Sequence, residues 1–222
     1  MPSSGTIPIV FANVGDPVAS GIVARLNQPG GNVTGFAGSE ASLAGKWLEL
    51  LSEIAPGLKR AAIMFNPDTF PISTSMPSFE TAARSLKIEP IIAPVHTDVE
   101  IETAIIALGR EPGGGLVVLP DAFMVGHRAP IIAAAARNKV PAVYSVSEFV
   151  RDGGLLSYGA DQVDLFRRAA SFVDRILRGE KPGDLPVQFP TKFEMFVNRR
   201  TATALGLAIP PSILLRADEV IE

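Results

Sequence analysis

Short polar side chains follow several apolar runs of this chain, at the positions where a strand would end. The segment FNPDT, for example, places Asn66, Asp68 and Thr69 directly after the run AAIM. The residues in such positions along the whole chain are Asp16, Asn66, Asp68, Thr69, Asp121, Phe123, Ser145 and Asp161. Carboxylates can receive an ammonium group, and Asn, Ser and Thr can hold a carboxylate or hydroxyl groups. The set therefore favours the binding of a small polar molecule.

Each of these residues also has an ordinary structural interpretation, because Asp and Asn beside Pro are common turn formers and helix N-caps. The set as a whole lacks a His, Cys or Lys placed as a general base. The chain has no Cys and two His, His96 and His127, which argues against disulfides, thiolate metal sites and a histidine-rich metal site. The sequence predicts binding without catalysis, with no cofactor and no metal.

The elements that must position these residues alternate between strand-like runs and helical patterns. Short apolar runs predict buried strands at TIPIVFANV, AAIMF, EPIIAPVH, GGLVVLP, PAVYSV and GLLSYG, and a later one at FEMFV. Between them lie helical patterns such as SLAGKWLELLSEIAPG, where Leu43, Trp47 and Leu50 share an apolar face. The alternation predicts an α/β fold with a parallel sheet covered on both faces. Ligands of such sheets bind at the carboxyl ends of the strands, where the polar residues lie.

Composition and charge argue against several kinds of partner. The 222-residue chain is 47% hydrophobic and 19% charged, which is typical of a globular protein. Its formal net charge of -3, without a basic cluster, argues against nucleic acid as a partner. The GGG at residues 113–115 precedes a strand, so it does not have the position of a phosphate-binding loop. The sequence as given shows no signal peptide and no apolar run of membrane-spanning length.

The chain resembles the substrate-binding proteins of ABC transporters, and most closely their tryptophan and aromatic-amino-acid group. Five segments carry the resemblance: VGDPVASGIVARLNQPGGNVTGF, LAGKWLELLSEIAPGLKRAAIMFNPD, PDAFMVGHRAPIIAAAARNKVPAVY, GGLLSYGAD and LPVQFPTKFEMFVNRRTATALGL. Together they cover nearly the whole chain, and the most specific blocks are DPV…GNVTG and GGLLSYG…LPVQ.

The resemblance implies a type I periplasmic-binding fold, in which two doubly wound parallel-sheet lobes hold a ligand in the cleft between them. Residues 1–35 and 162–190 would form lobe one, and residues 36–161 and 191–222 would form lobe two. Lobe one would then be incomplete, because a doubly wound lobe commonly needs about 100 residues or more. Its core would be partly open, and a homodimer that covers it is a further expectation.

The resemblance also implies roles for individual residues. Asn66 and the Ser/Thr-rich segment through Ser73 and Ser75 would meet the backbone of a bound amino acid. Asp121 and Phe123 would line the same wall, opposite the lobe-one residue Asp16. The implied partners are an amino-acid-like ligand and the permease of an ABC transporter, and the implied location is the periplasm.

Two other classes of function stay open at this point. An effector-sensing domain of a transcription regulator shares the architecture, and a helix-turn-helix would be expected before it. A small-molecule enzyme on a doubly wound sheet is permitted by the fold alone, although the sequence offers no nucleophile-base pair. The coding sequence upstream would discriminate, since a signal peptide favours the transporter and a helix-turn-helix favours the regulator.

Overall fold

The computed structural model describes residues 7–222, which contain nine strands and nine α-helices. The strands are β1 (Ile9–Val14), β2 (Val33–Ala37), β3 (Arg60–Phe65), β4 (Glu89–Pro94), β5 (Gly114–Val118), β6 (Ala142–Tyr144), β7 (Leu156–Ala160), β8 (Phe193–Asn198) and β9 (Glu219–Ile221). The helices are α1 (Leu43–Ile54), α2 (Met76–Leu86), α3 (Asp98–Gly109), α4 (Ala122–Gly126), α5 (Arg128–Arg137), α6 (Ser147–Arg151), α7 (Gln162–Leu177), α8 (Arg199–Ala204) and α9 (Pro211–Arg216). Short 3-10 helices lie at Ile72–Thr74 and Pro182–Asp184.

The chain divides into two compact units, each made from two separated stretches of sequence. Unit one contains the described residues up to Glu40, together with Ala160–Phe193. Unit two contains Ala41–Gly159 and Glu194–Glu222.

Unit two is built round a seven-stranded sheet with the strand order β4-β3-β5-β6-β7-β8-β9. The pairs β3–β4, β3–β5, β5–β6, β6–β7 and β8–β9 are all parallel. The order reverses direction at β3, since β4 lies on one side of it and β5 on the other. This is the arrangement of a doubly wound sheet, in which loops on either side of the reversal point away from each other and leave space at the carboxyl edge.

Two helical layers cover this sheet, because alternate residues of a strand face opposite sides. Helices α1 and α2 pack against each other, and α1 also contacts β5 and β6; α3 packs against α5 and β5. On the α3 and α5 side, Met64 and Leu116 belong to a buried cluster with Ile105 and Ile131. The sheet contains the strands predicted at AAIMF, EPIIAPVH, GGLVVLP, PAVYSV, GLLSYG and FEMFV, with β9 as an additional strand, and the α/β fold class is confirmed.

Helix α1 shows how the predicted apolar face is used. Leu43, Trp47 and Leu50 are 7%, 2% and 0% exposed. The indole nitrogen Nε1 of Trp47 donates a hydrogen bond of 2.6 Å to the carbonyl oxygen of Tyr158. Trp47 is therefore a core residue whose polar atom is also satisfied.

Unit one has a much smaller framework. Strands β1 and β2 pair in parallel, and a single parallel bridge joins Phe36 of β2 to Gln188. Helix α7 packs on both strands, and the ring of Phe172 lies 4.8 Å from the ring of Phe36. A small buried cluster around this pair includes Leu165 and Leu185.

Candidate functional site

The polar residues predicted in unit two lie on the loops that follow β3, β5 and β6. These three strands are neighbours in the order β3-β5-β6 and run parallel to one another. Their carboxyl ends therefore meet at the same edge of the sheet, which is where ligands of doubly wound folds bind.

Asp121 ties the loop after β3 to the loop after β5. Its carboxylate accepts the backbone N–H of Asn66 at Oδ2 (2.8 Å), and the hydroxyl of Thr69 at Oδ1 (2.6 Å). The same Oδ1 accepts the backbone N–H of Phe123 (2.8 Å), because Asp121 is the N-cap of α4. Asp121 is 2% exposed. A buried carboxylate with three donors is well stabilised, and it holds both loops in fixed positions.

Asn66 forms the turn at the end of β3 with its two oxygen atoms and leaves its side-chain NH₂ group available. Its side-chain oxygen Oδ1 accepts the backbone N–H of Asp68 (2.8 Å), and its carbonyl oxygen accepts the N–H of Phe70 (2.9 Å). The residue is 5% exposed. Within the described part of the chain, the side-chain nitrogen Nδ2 makes no hydrogen bond, so it is a donor that a ligand can use.

The aromatic ring of Phe123 is held in place by the ring of His127. The two rings are stacked, with centroids 3.9 Å apart and planes at 26°. The nitrogen Nδ1 of His127 donates to the carbonyl oxygen of Phe123 (2.8 Å), and Nε2 lies 3.7 Å from a carboxylate oxygen of Asp98. Phe123 itself is partly exposed. Phe123 also packs against the buried cluster that contains Met64 and Ile131, so its ring is held in place and only part of the residue faces solvent.

Asp68 is the exposed carboxylate of this edge. Its side chain is 77% exposed, and its Oδ2 lies 3.7 Å from Nε2 of His96. His96 also contacts Glu100, whose carboxylate accepts the backbone N–H of His96. That backbone hydrogen bond is the main reason why the pKa of Glu100 is lowered. The loop after β4 thus stands beside the loop after β3, a contact that the sequence did not predict.

The serine residues of unit two differ in their surroundings. Ser73 is exposed, whereas Ser75 is 6% exposed and its hydroxyl makes no hydrogen bond to residues 7–222. Ser145, directly after β6, is 4% exposed, and its fully buried hydroxyl has no partner among the described residues. Ser157 in β7 is 1% exposed and has an equally unpartnered hydroxyl. Sequence reasoning missed Ser157, although a Ser inside the apolar run GLLSYG was a signal.

The two predicted residues of unit one use their carboxylates locally. Asp16 accepts the backbone N–H groups of Val18 (3.0 Å) and Ala19 (2.9 Å), which closes the turn after β1. Asp161 is the N-cap of α7 and accepts the N–H of Asp164 (3.0 Å). It also accepts a hydrogen bond of 2.7 Å from the Lys192 ammonium. This bond to Lys192, followed by the N–H of Asp164, lowers the pKa of Asp161.

The arrangement at the carboxyl edge of unit two is suited to holding a small molecule. It offers two free donors, at Asn66 Nδ2 and Ser75 Oγ, an exposed carboxylate at Asp68 and an aromatic ring at Phe123. Among residues 7–222, no three His, Cys, Asp or Glu side chains are grouped to hold a metal ion. In the same range, no helix has both the length and the apolar character needed to cross a membrane.

Comparison with known proteins gives a family match over nearly the whole chain. A sequence model of the family described as "ABC transporter substrate binding protein" matches residues 3–221. A tyrosine-binding protein of Clostridioides difficile (strain R20291) is 29% identical over 202 residues, which are 90% of this chain and 57% of that protein. The chain therefore spans little more than half the length of that curated relative.

Solved structures are similar over almost the entire chain. The ABC domain from Streptococcus pneumonia in complex with L-Trp has a TM-score of 0.88 and 26% identity, and the match covers 98% of this chain and 73% of that one. A conserved domain protein from Vibrio cholerae O1 biovar El Tor has a TM-score of 0.85 and 30% identity, covering 98% and 72%.

Proposed function

The chain belongs to the family of ABC transporter substrate-binding proteins, and on this premise we propose that it is the solute-binding component of a transporter. The observation that carries the proposal is the carboxyl edge of unit two. There, Asp121 accepts the backbone N–H groups of Asn66 and Phe123 and so fixes the two loops that carry these residues. Groups that are held in place before the ligand arrives lose little entropy on binding, which is what a binding protein requires.

We propose an amino acid as the ligand, and an aromatic amino acid as the first choice. A tyrosine-binding protein and a protein solved with L-Trp are among the relatives, which supports this class of ligand. Asn66 and Ser75 would donate to the ligand's carboxylate, and Asp68 would receive its ammonium group. Phe123 would stack against an aromatic side chain. Thr69, Ser73, Ser145, Asp16 and Asp161 stay predicted members of the site.

Four further features belong to the same proposal. The two units would be the two lobes of a type I periplasmic-binding fold, and the partner would be the permease of an ABC transporter. The protein would work outside the cytoplasmic membrane, in the periplasm. A homodimer that covers the apolar surface of unit one would be a further partner arrangement. The family match over residues 3–221 supports transport rather than transcription regulation or catalysis.

A thermal-shift titration with L-tyrosine, L-tryptophan, L-phenylalanine and L-leucine tests the proposal. A ligand that binds only the folded protein stabilises it by about 2.7 kcal/mol at a hundredfold excess over its dissociation constant. We expect a clear rise in melting temperature with at least one aromatic amino acid and a smaller rise with leucine. Absence of any shift with all four amino acids would contradict the assignment of an amino-acid ligand.

The site is tested by comparing Asn66→Ala with Asn198→Ala. Both asparagines are 5% exposed, and both accept a backbone N–H at the end of a strand. They differ because Nδ2 of Asn198 already donates to the carbonyl oxygen of Val150 (3.2 Å). We expect Asn66→Ala to lose the ligand-induced shift and Asn198→Ala to keep it. If Asn66→Ala binds as the parent protein does, the proposed site is wrong.

A further inference from the structure

Ser147 is an almost buried serine just beyond the carboxyl end of β6. It is 8% exposed, and its hydroxyl makes no hydrogen bond to residues 7–222. Buried polar side chains usually have a partner, so each exception needs an explanation. A serine hydroxyl can both donate and accept a hydrogen bond. Both capacities of Ser147 are unused within the described part of the chain.

The register of the sheet gives the position of this hydroxyl. Met64 of β3, Val118 of β5 and Tyr144 of β6 are paired at one level of the sheet. Asn66 comes two residues after this level, and Ser147 comes three residues after it. Both residues therefore lie just past the end of their strands, at the same carboxyl edge.

A second serine at this point strengthens the polar character of the end of β6. Ser145 is 4% exposed, and its fully buried hydroxyl also has no partner among residues 7–222. Val146, between the two serines, has extended backbone angles, so the two side chains face the same side of the chain. Ser147 is the farther of the two from the sheet and the more accessible.

The ends of the neighbouring strands do not satisfy these serines. After β5, both carboxylate oxygens of Asp121 accept hydrogen bonds from its own loop and the loop after β3. In β7, a side chain at Gly159 would overlap the carbonyl oxygen of Ser145, so β6 and β7 pack backbone against backbone there. A group from outside the described chain can therefore supply the missing partner.

The strand order places Ser147 in line with the proposed contacts to an amino acid. Strands β3 and β6 have β5 between them, and two steps across a sheet span about 10 Å. Asn66 follows β3, Phe123 follows β5, and Ser147 follows β6. An aromatic amino acid whose carboxylate is held at Asn66, with its ring on Phe123, extends along this line. The tip of its side chain then points toward Ser147.

We propose that Ser147 is a specificity-determining residue, whose hydroxyl binds a hydroxyl group at the tip of the ligand's aromatic side chain. The inference rests on the proposed function, because it starts from the contacts at Asn66 and Phe123. A phenol hydroxyl both donates and accepts, so it matches the serine hydroxyl in either direction. An indole N–H only donates, and a phenyl ring does neither. The ligand is therefore tyrosine-like and is selected over phenylalanine.

Isothermal titration calorimetry with L-tyrosine and L-phenylalanine tests the inference on the parent protein, Ser147→Ala and Ser157→Ala. We expect the parent to bind tyrosine about tenfold more tightly than phenylalanine, since one hydrogen bond to a nearly buried hydroxyl contributes about this factor. A site that hydrogen-bonds a ligand hydroxyl discriminates against the analogue that lacks it. Ser147→Ala should lose most of the preference for tyrosine while its affinity for phenylalanine stays the same.

Ser157→Ala is the matched control. Ser157 is 1% exposed, and its hydroxyl is likewise unpartnered within residues 7–222. It lies inside β7, in register with Tyr144, and therefore below the carboxyl edge. This variant should keep the preference of the parent for tyrosine. Circular dichroism checks that both variants fold as the parent does.

The outcomes separate the role of Ser147 from the proposed function. Equal affinity of the parent for the two amino acids, or an unchanged preference in Ser147→Ala, would overturn the role of Ser147 and leave the amino-acid site in place. A parent protein that binds neither amino acid would overturn the proposed function together with this inference.

A change in the ligand tests the same contact without any variant. L-meta-tyrosine has the same groups as L-tyrosine, but its hydroxyl is attached at a different position of the ring. We expect the parent to bind it about as weakly as phenylalanine, because the hydroxyl no longer lies at the tip. Equal affinity for the two tyrosine isomers would overturn a contact at the side-chain tip.

Discussion

The two units differ in how completely their secondary structure is covered. In unit two, helices pack on both faces of a seven-stranded sheet, and a single buried cluster reaches from β3 to α5. In unit one, one helix packs on a two-stranded pair, and the described buried clusters are small. Among residues 7–222, strand β1 pairs with β2 alone, and the nearby Ile7 and Ile9 are 67% and 44% exposed.

This difference shows that segments with similar sequence patterns can be stabilised to different extents by burial. A two-stranded sheet is marginal by itself, and a small unit buries too little apolar surface to offset the entropy of ordering its chain. Unit two provides that burial within its own residues. Unit one presents apolar surface to solvent, and among residues 7–222 its helix α7 carries more exposed large apolar side chains than any other helix.

The largest expected effect is the loss of a core ring in unit two. Phe149 is fully buried and stacks on Tyr144 with ring centroids 4.5 Å apart. Phe149→Ala removes this packing and leaves a cavity, so we expect a loss of about 3–5 kcal/mol in the free energy of unfolding. Urea unfolding followed by the fluorescence of Trp47, which is the single Trp and lies in unit two, measures it. A loss of less than 1 kcal/mol, roughly that of a surface change, would mean that this core is loosely packed.

A somewhat smaller effect is expected for the matching ring of unit one. Phe172 is 6% exposed and packs on Phe36, in a cluster that can relax more easily. We expect Phe172→Ala to cost about 3 kcal/mol, the lower end of the range for such changes. Far-UV circular dichroism, which reports both units, should show the loss, while the Trp47 transition should not move. If both probes shift equally, the two units unfold together and the energetic contrast between them is wrong.

The smallest expected effect depends on pH and concerns the cap of α7. The Lys192 ammonium, hydrogen-bonded to Asp161, lowers the pKa of that carboxyl in the folded protein. A lowered pKa contributes stability above the pKa of the unfolded chain, about 3.9, and loses it as the pH falls through the folded value. Asp161→Asn should therefore be less stable than the parent at neutral pH, and the difference should shrink in acid.

Denaturation curves of the parent and of Asp161→Asn, measured by circular dichroism from neutral pH downward, check this prediction. Asn keeps a good capping side chain, so the variant isolates the charge rather than the cap. A difference in stability that stays the same at every pH would show that the ion pair with Lys192 contributes nothing.

Local patterns in the sequence were sufficient to predict the fold class and most of the elements. The helical spacing in α1 predicted its buried face at Leu43, Trp47 and Leu50, because burial at that period requires an apolar partner. The shorter elements β2, β9, α4, α6 and α9 were not predicted. Their few residues carry too little periodicity to identify, and tertiary packing fixes them.

The predicted site residues show the same division between local signal and tertiary context. The sequence identified Asn66, Asp121 and Phe123 as polar or aromatic residues at strand ends. It could not show that the Asp121 carboxylate accepts the backbone N–H of Asn66, since the two residues are 55 positions apart in the chain. Nor could it show that the ring of His127 stacks on Phe123. The contact between Asp121 and Asn66 depends on β3 and β5 becoming neighbours, whereas the ring contact of His127 with Phe123 spans only four residues.

The sequence by itself therefore determined the α/β class, the family resemblance and the chemical types at the strand ends, because each depends on residue identity and short-range spacing. Only the tertiary structure decided which of those side chains remain free to bind. The carboxylates of Asp16, Asp121 and Asp161 accept hydrogen bonds from backbone N–H groups. Nδ2 of Asn66, in contrast, donates no hydrogen bond to residues 7–222, although Oδ1 of the same side chain accepts one. The turn at Asp16 and the helix cap at Asp161 are local, within three residues, whereas the bond between Asp121 and Asn66 joins residues 55 positions apart and has no local pattern.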